Sequence, residues 1–468
     1  MCSSNFESER IGSKLLQNAL EMRWILVLTF FFILPQLLAQ QRKEFLFQSD
    51  RKKIHLRFQF INNLIVIPVT VNGQELTFLL DSGVGKTLLF NNENVSQLHF
   101  ENKNRYNLSG LGQGEALQAY LTQGNTIQLG QLFGVNQDIL LVDKIDFSFS
   151  RRMGRQIEGV LGSEFFKTYP IKIDYINRKI SIYNNRYPFT FPRKATQYPL
   201  QFHRNKPHVQ MKFNQNGEGS ILSTFLIDTG SSDALWLFDA HESIEKTTPV
   251  FNDFLGQGIN GNIFGDRGKI NSIQLSKRPI KDVKVAYPEM DNFKTIDLLS
   301  GRVGSIGGEL LSRFTVYFDY PNQRMALQPN RKIEAPFYFN MSGIELQYNG
   351  VELRTSKVNN SGGIKYDNEG NNRGIEIFLR DVIQYEFQDV IEIAEVRPNS
   401  PAAQSGIRKG DILYRINNHK LNHLKLHEVA GMLQRKPGKK IKLLLRRNKE
   451  MLTKTFVLAP LFDSPPDF

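Results

Sequence analysis

Alternation of apolar and polar positions along the chain predicts a protein built mainly from β-strands. The segment KIHLRFQF (53–60) alternates at every residue, as a strand with one buried face does. LIVIPVTV (64–71) runs into Asn72-Gly73, a pair typical of tight hairpin turns, and a further apolar strand follows. HVQMKFNQNG (208–217) repeats this arrangement. Helical patterns are sparse, and residues 163–167 are the best candidate for a short helical turn.

The apolar pattern is duplicated in the chain. LTFLLDSGVGKTLLF (76–90) corresponds to STFLIDTGSSDALWLF (223–238), and LGQG at 111–114 recurs at 255–258. A longer block, GVLGSEFFKTYPIKIDY from residue 159, corresponds to GSIGGELLSRFTVYFDY from residue 304. The order is kept and the offsets stay between 144 and 147 residues. The sequence therefore contains two copies of one unit, called here the first and second copies.

Length and composition describe an ordinary globular chain. The 468 residues suffice for about two to four domains, and 40% hydrophobic with 22% charged residues is typical of globular folds. The formal net charge of +13 comes from scattered Lys and Arg, which favours a solvated basic surface over a nucleic-acid site. No nucleic-acid partner is therefore expected.

The N-terminal segment has the layout of a secretory signal peptide. In MRWILVLTFFFILPQLLAQ (22–40) a positive Arg23 precedes an apolar run and a small-residue end near Ala39. We predict a signal segment within residues 1–39, with its core at about 22–39, and a periplasmic or extracellular destination. If the segment is not cleaved, it anchors the protein to the membrane. The one cysteine, Cys2, lies upstream, so the exported chain is expected to have no disulfide.

Two short motifs occupy corresponding places in the two copies: Asp81-Ser82-Gly83 and Asp228-Thr229-Gly230, each after an apolar strand. A single Asp-Ser-Gly is also an ordinary turn sequence, so the duplication carries the argument. With a glycine-bearing segment and a hydrophobic-Gly element after each motif, the chain resembles the bacterial retropepsin-like aspartyl protease family. The resemblance covers about residues 52–332. It implies a bilobal, pseudo-two-fold β fold, with lobes at 52–190 and 197–332 and the active site between them.

By this resemblance, Asp81 and Asp228 form a catalytic dyad. Two carboxylates held close together share a proton, because both cannot ionise easily. One carboxylate deprotonates a water that attacks the peptide carbonyl, and the other protonates the carbonyl oxygen. No metal or other cofactor is needed. The resemblance also implies supporting residues, whose hydroxyls join the two loops and whose missing side chains permit close approach: Ser82, Thr229, Gly83 and Gly230.

The paired LGQG segments lie between the Asp motif and the hydrophobic-Gly element in both copies, which favours flaps that close over an extended peptide. A plain hairpin turn is the alternative. The flap candidates are Gly112, Gln113, Gly114, Gly256, Gln257 and Gly258. The hydrophobic-Gly elements expected behind the active-site loops are Leu161-Gly162 and Ile306-Gly307.

The two copies differ beside these motifs. Five residues after each aspartate, the first copy has Lys86 and the second has Asp233. These residues either pair across the lobe boundary or are solvated separately. A cation near the dyad would lower its pKa and so shift the pH optimum. In the second copy, Ser305 replaces a hydrophobic residue before Ile306-Gly307.

The repeat ends near residue 329, and the rest of the chain resembles a PDZ domain at about 336–460. The matching segments are SPAA (400–403), GI (406–407) and GDIL (410–413), and a helix is predicted from about 425 to 434. A polar insertion is expected at about 355–374. PDZ domains bind an extended peptide by strand addition and hold its terminal carboxylate on backbone N–H groups. The candidate peptide-binding residues are Ser342, Gly343, Ile344, Glu345 and Leu346.

The sequence thus predicts an exported aspartic endopeptidase that hydrolyses peptide bonds in peptides or unfolded proteins. The PDZ domain would bind a C-terminal peptide, or would only stabilise the protease lobes by docking against them. The alternative from another functional class is a catalytically inactive, protease-like protein that binds peptides or acts as a scaffold.

Overall fold

A computed structural model of the chain describes residues 43–143, 148–294, 296, 298–366, 375–422, 424–434 and 437–462. Strands dominate this part of the chain, and the prediction of a mainly β protein is confirmed. The predicted signal segment at 1–39 lies outside the described residues. Within the described ranges, no helix is both long and apolar enough to cross a membrane.

The strands of the first copy are β1 (Phe45–Phe47), β2 (Lys53–Arg57), β3 (Gln59–Ile61), β4 (Leu64–Val71), β5 (Gln74–Leu80), β6 (Leu88–Phe90), β7 (Asn104–Leu108), β8 (Leu117–Leu129), β9 (Leu132–Val142), β10 (Gly159–Leu161), β11 (Ile171–Asp174) and β12 (Lys179–Tyr183). Those of the second copy are β13 (Thr196–Pro199), β14 (Gln201–His203), β15 (Lys206–Asn214), β16 (Ile221–Ile227), β17 (Leu235–Leu237), β18 (Phe251–Gly258), β19 (Gly261–Gln274), β20 (Ile280–Pro288), β21 (Arg302–Ile306), β22 (Phe314–Asp319) and β23 (Arg324–Pro329). The C-terminal domain contains β24 (Ile344–Tyr366), β25 (Ile375–Val396), β26 (Ile412–Ile416), β27 (His419–Lys420), β28 (Lys440–Arg447) and β29 (Glu450–Val457).

The helices are short. The α-helices are α1 (Glu93–Ser96), α2 (Ser148–Met153), α3 (Gly308–Leu311), α4 (Pro401–Gln404) and α5 (Leu426–Gln434). Single 3-10 turns cover Ser163–Phe166, Met290–Phe293 and Tyr320–Asn322.

The duplication in the sequence extends to the sheets. Five strands of the first copy follow the order β9-β6-β10-β5-β4, and five of the second follow the equivalent order β20-β17-β21-β16-β15. In each sheet the strand that leads into the Asp motif pairs in parallel with the hydrophobic-Gly strand. Leu80 lies opposite Leu161, and Ile227 lies opposite Ile306. The Asp loops therefore start from the same place in two similar sheets.

A third sheet joins the two copies. Its order is β13-β23-β22-β11-β12-β2, so it takes strands from both, and Ile173 on β11 lies opposite Val316 on β22. Aromatic side chains pack across the junction, with the rings of Phe166 and Phe318 5.1 Å apart. One buried apolar core contains residues of both copies. This shared sheet fixes the two Asp loops relative to each other.

The C-terminal domain has its own core and sheet. The sheet order is β24-β25-β26-β28-β29, with β27 beside β26, and α5 packs on it through Leu426, Val429 and Leu433. Most of the predicted insertion at about 355–374 belongs to a long hairpin, because residues 355–366 continue β24 and pair with β25. Residues 367–374 lie outside the described part of the chain.

Candidate active site

The loops after β5 and β16 carry Asp81 and Asp228 to facing positions. Each aspartate is anchored by its backbone to the hydrophobic-Gly strand behind it. The N–H of Asp81 donates to the carbonyl of Leu161 at 3.0 Å, and the N–H of Asp228 donates to the carbonyl of Ile306 at 2.9 Å. The parallel strand pairs therefore determine the backbone positions of Asp81 and Asp228.

Glycines bring the two carboxylates together. A Cβ atom on Gly83 would lie 2.7 Å from Oδ1 of Asp228, and one on Gly230 would overlap the carboxylate of Asp81. The N–H of Gly83 donates to Oδ1 of Asp81 at 2.7 Å, and that of Gly230 donates to Oδ1 of Asp228 at 3.0 Å. The two carboxyl groups are thus close enough to act on each other's ionisation. Only glycine leaves room for this arrangement.

Reciprocal hydrogen bonds between Ser82 and Thr229 join the loops. The N–H of Ser82 donates to Oγ1 of Thr229 at 3.0 Å, and the N–H of Thr229 donates to Oγ of Ser82 at 3.1 Å. Each hydroxyl then donates to a carbonyl of the opposite copy, Ser82 to Ile227 and Thr229 to Leu80. Both side chains are fully buried, so these four bonds form without competition from water.

The surroundings of the dyad raise the pKa of both carboxyl groups, but unequally. Burial raises the pKa of Asp81 well above its usual range, and the charge of Asp228 raises it further. Burial also raises the pKa of Asp228, but the positive charge of Arg302 and the N–H of Gly230 oppose that rise. The pair titrates as a unit, and these surroundings make Asp81 the more readily protonated of its two carboxyl groups.

Lys206 belongs to the site, although no sequence motif marks it. It starts β15 directly after the turn at Arg204-Asn205, and the corresponding position after Asn62-Asn63 is the buried Leu64. Its positive charge lowers the pKa of both aspartates. Burial and the charge of Arg302 lower the pKa of Lys206 itself. An alignment of the two turns places Lys206 where the first copy has Leu64. This replacement of an apolar residue by a cation is the feature of the sequence that could have identified Lys206.

Arg302 is the second missed residue. It is buried at the start of β21, and burial lowers its pKa to about 10 despite the charge of Asp228. Its Nη2 donates to Oγ of Ser305 at 2.6 Å, and its Nε donates to the carbonyl of Gly304 at 3.0 Å. Ser305, which departs from the hydrophobic pattern, is thus an acceptor that holds this guanidinium. The first copy has Ile157 at the position of Arg302.

Lys86 and Asp233 do not pair with each other. The ammonium of Lys86 lies 3.5 Å from Asp138 and 3.6 Å from Glu164, both in the first copy. Asp233 pairs instead with Arg267, at 2.7 Å. Pairing across the copies is therefore wrong, and so is solvation of the buried Asp233, whereas Lys86 stays about one third exposed beside two carboxylates of its own copy. The cations that act on the dyad are Lys206 and Arg302.

The flap candidates lie in two hairpins. Gly112, Gln113 and Gly114 form the tip between β7 and β8, whereas Gly256, Gln257 and Gly258 end strand β18, before the turn at Ile259-Asn260.

The two tips are hydrogen-bonded to each other. The N–H of Asn260 donates to the carbonyl of Leu111 at 2.9 Å, and its carbonyl accepts from the N–H of Gly114 at 2.8 Å. Its Nδ2 donates to the carbonyl of Glu115 at 3.0 Å. Asn260 thus joins the flaps, although no sequence motif marked it.

The candidate peptide-binding loop of the C-terminal domain is occupied by its own side chains. Oδ1 of Asn340 accepts from the N–H groups of Ser342 and Gly343 at 3.2 and 3.1 Å. Oγ of Ser342 accepts from the N–H of Ile344 at 3.1 Å. Leu346 is buried in the domain core, and burial raises the pKa of Glu345. The donors expected to bind a terminal carboxylate are therefore already satisfied.

Comparison with protein-family models supports both parts of this description. Residues 67–165 match the model described as aspartyl protease, and residues 392–447 match the model described as PDZ domain. The predicted resemblance to these two families is confirmed. A search of curated proteins found no match to the chain. The protease match includes Asp81, and the assignment of the second copy rests on the internal repeat and on the equivalent sheets.

Proposed function

Taking one chain with an aspartyl protease domain and a PDZ domain as premise, we propose that the protein is an exported aspartic endopeptidase. The observation that supports this most is the facing pair Asp81 and Asp228, joined through Ser82 and Thr229. An inactive binding protein would not require two buried carboxylates to lie against each other, since their repulsion destabilises the fold.

The unequal surroundings of the dyad suggest the role of each carboxyl group. Asp228, ionised beside Arg302 and Lys206, accepts a proton from the attacking water. Asp81, which holds the shared proton, donates it to the oxygen of the scissile carbonyl. When the tetrahedral gem-diol collapses, Asp228 gives its proton to the leaving nitrogen and the C–N bond breaks. One hydroxyl of the gem-diol returns its proton to Asp81, so the dyad is singly protonated again.

The flaps and the PDZ domain suggest a peptide or an unfolded chain as substrate. We expect an extended segment to bind between the dyad and the two flap hairpins, whose tips are hydrogen-bonded to each other and must part to admit it. Peptide binding by the PDZ domain rests on the family match alone, because its predicted carboxylate loop is occupied and α2 packs against β24, the edge strand of its sheet. Export rests on the N-terminal segment at 1–39.

Cleavage of a mixed peptide library at acidic and neutral pH tests the proposal. We expect cleavage by the wild type and loss of cleavage in Asp81→Asn and Asp228→Asn. Equal cleavage by these variants, or none by the folded wild type, would reject the protease and favour the peptide-binding alternative. Sequencing the N-terminus of the mature protein tests export, because a start near residue 40 requires signal cleavage.

A further inference from the structure

Four buried charged side chains form a continuous chain from the second Asp loop to the PDZ domain. Oδ1 of Asp233 lies 2.7 Å from Nη1 of Arg267, whose Nε lies 3.1 Å from Oδ2 of Asp253. Oδ1 of Asp253 in turn lies 3.6 Å from Nη1 of Arg397. At most 11% of any of these side chains is exposed, so the charges interact with little screening.

The chain of ion pairs crosses the flap hairpin. Asp253 lies on β18 and Arg267 on β19, the two strands that carry the second flap. Asp233 lies five residues after Asp228 and also accepts a 2.7 Å hydrogen bond from Nε1 of Trp236. The geometry of this flap is thus fixed, at its inner end, by the loop that carries a dyad carboxylate.

The PDZ domain fixes the outer end of this series of ion pairs. Arg397 directly follows β25, its Nη2 donates to the carbonyl of Asn340 at 2.9 Å, and its N–H donates to the carbonyl of Gly343 at 2.8 Å. Its guanidinium also stacks on the ring of Phe251 on β18, 4.8 Å from the ring centroid. The side chain is therefore held from both sides, which fixes its position relative to the flap.

A second arginine that stacks on a phenylalanine of β18 lies next to Arg397. The guanidinium of Arg152, on α2, stacks on Phe254 of β18 at 4.2 Å and lies 3.4 Å from Glu395 of the PDZ domain. The ring of Phe251 packs 5.4 Å from that of Phe339, just before the PDZ loop. Three residues of the flap base, at 251, 253 and 254, therefore contact groups that hold them to the PDZ domain.

We propose that Arg397 is a positioning residue for catalysis, through which the PDZ domain braces the second flap in cis. This role rests on the proposed protease function and extends it to the PDZ domain. The brace acts through Asp253, because loss of Asp253 leaves Arg397 buried without this carboxylate, and loss of Arg397 leaves Asp253 held by Arg267 alone. The flap hairpin then loses its fixed position relative to the loop that carries Asp228, and substrate is held less accurately.

Hydrogen exchange tests the brace without any need for catalysis. In the Asp228→Asn background, which prevents self-cleavage, Arg397→Met and Asp253→Asn are expected to increase exchange in residues 251–274. Exchange in β11 and β22 of the shared sheet should stay unchanged. Arg446→Met is the matched control, because Arg446 pairs with Glu352 at 2.7 Å inside the PDZ domain. Unchanged flap exchange in a folded Arg397→Met protein, or an equal rise in all sheets, would overturn the brace.

Kinetics of the active enzyme give the second readout. Both single variants are expected to lower kcat/KM by about tenfold, a size typical of coupling through a packed network. The double variant should lose little more than either single variant, because both remove the same contact. Independent, multiplied losses would overturn the coupling. If the wild type cleaves nothing, the protease proposal fails, and the exchange experiment alone decides the brace.

Discussion

Ser82 and Thr229 each supply the hydroxyl that accepts the other's backbone N–H, at 3.0 and 3.1 Å. The two residues lie 147 positions apart, yet they close the same buried ring of hydrogen bonds. The relationship explains why two separate copies present their aspartates as one pair. The same hydrogen bonds therefore stabilise the fold and hold the two aspartates together.

Removal of either hydroxyl should destabilise the protein. Ser82→Ala or Thr229→Ala leaves a buried N–H and a buried carbonyl without partners, and should lower the free energy of unfolding by about 1–3 kcal/mol. Urea denaturation followed by fluorescence measures this loss. Thr229→Ser is the control, because it keeps the hydroxyl and should retain most of the stability. Equal stability of Thr229→Ala and the wild type would contradict the prediction.

Replacement of Arg302 should shift the acidic limb of activity. Its charge opposes the rise in the pKa of Asp228, so Arg302→Met should let Asp228 take up a proton at higher pH. Because Asp228 must be ionised to accept a proton from water, activity should disappear at a higher pH on the acidic side. The pH profile of kcat/KM measures the shift. An acidic limb at the wild-type pH would show that Arg302 does not act on Asp228.

Lys206→Leu places in the second copy the residue that the first copy has at Leu64. Lys206 lowers the pKa of both aspartates, so its removal should move both limbs of the pH profile to higher pH. Lys86→Met serves as the control, because Lys86 pairs with Asp138 and Glu164. The prediction fails if Lys86→Met shifts the profile as much as Lys206→Leu does.

Asp81→Asn should make the protein more stable above the acidic range. The pKa of Asp81 is raised in the folded state, so the folded protein keeps a proton that the unfolded chain has lost. Stability contributed by this proton is present at low pH and is lost as pH rises through the folded pKa. Asparagine has no ionisable carboxyl group, so the variant does not lose this stability as the pH rises. Unfolding measured from pH 4 to pH 8 should show a stability gain that grows with pH, and a gain independent of pH would contradict the assignment.

Much of the architecture was predictable from local patterns. Alternating apolar positions and Asn-Gly turns mark strands, because strands and tight turns depend on neighbouring residues. The internal repeat showed that Asp81 corresponds to Asp228 and Leu161-Gly162 to Ile306-Gly307, because repeated residue types can be recognised in the sequence alone. The PDZ domain was also recognisable, from its SPAA and GDIL segments.

The electrostatics of the site were decided by tertiary structure. Lys206 and Arg302 replace apolar residues of the first copy, but only folding shows that their charges act on the dyad. Lys86, the cation nearest to a dyad motif in sequence, is bound by other carboxylates. The ion-pair partners of a long side chain depend on which charged groups lie near it in the folded protein. Burial increases the strength of each charge–charge interaction. The sequence by itself determined the strands, the repeat and the two aspartates; the packing of the copies and the PDZ domain decided which charges surround the dyad and what holds the flap.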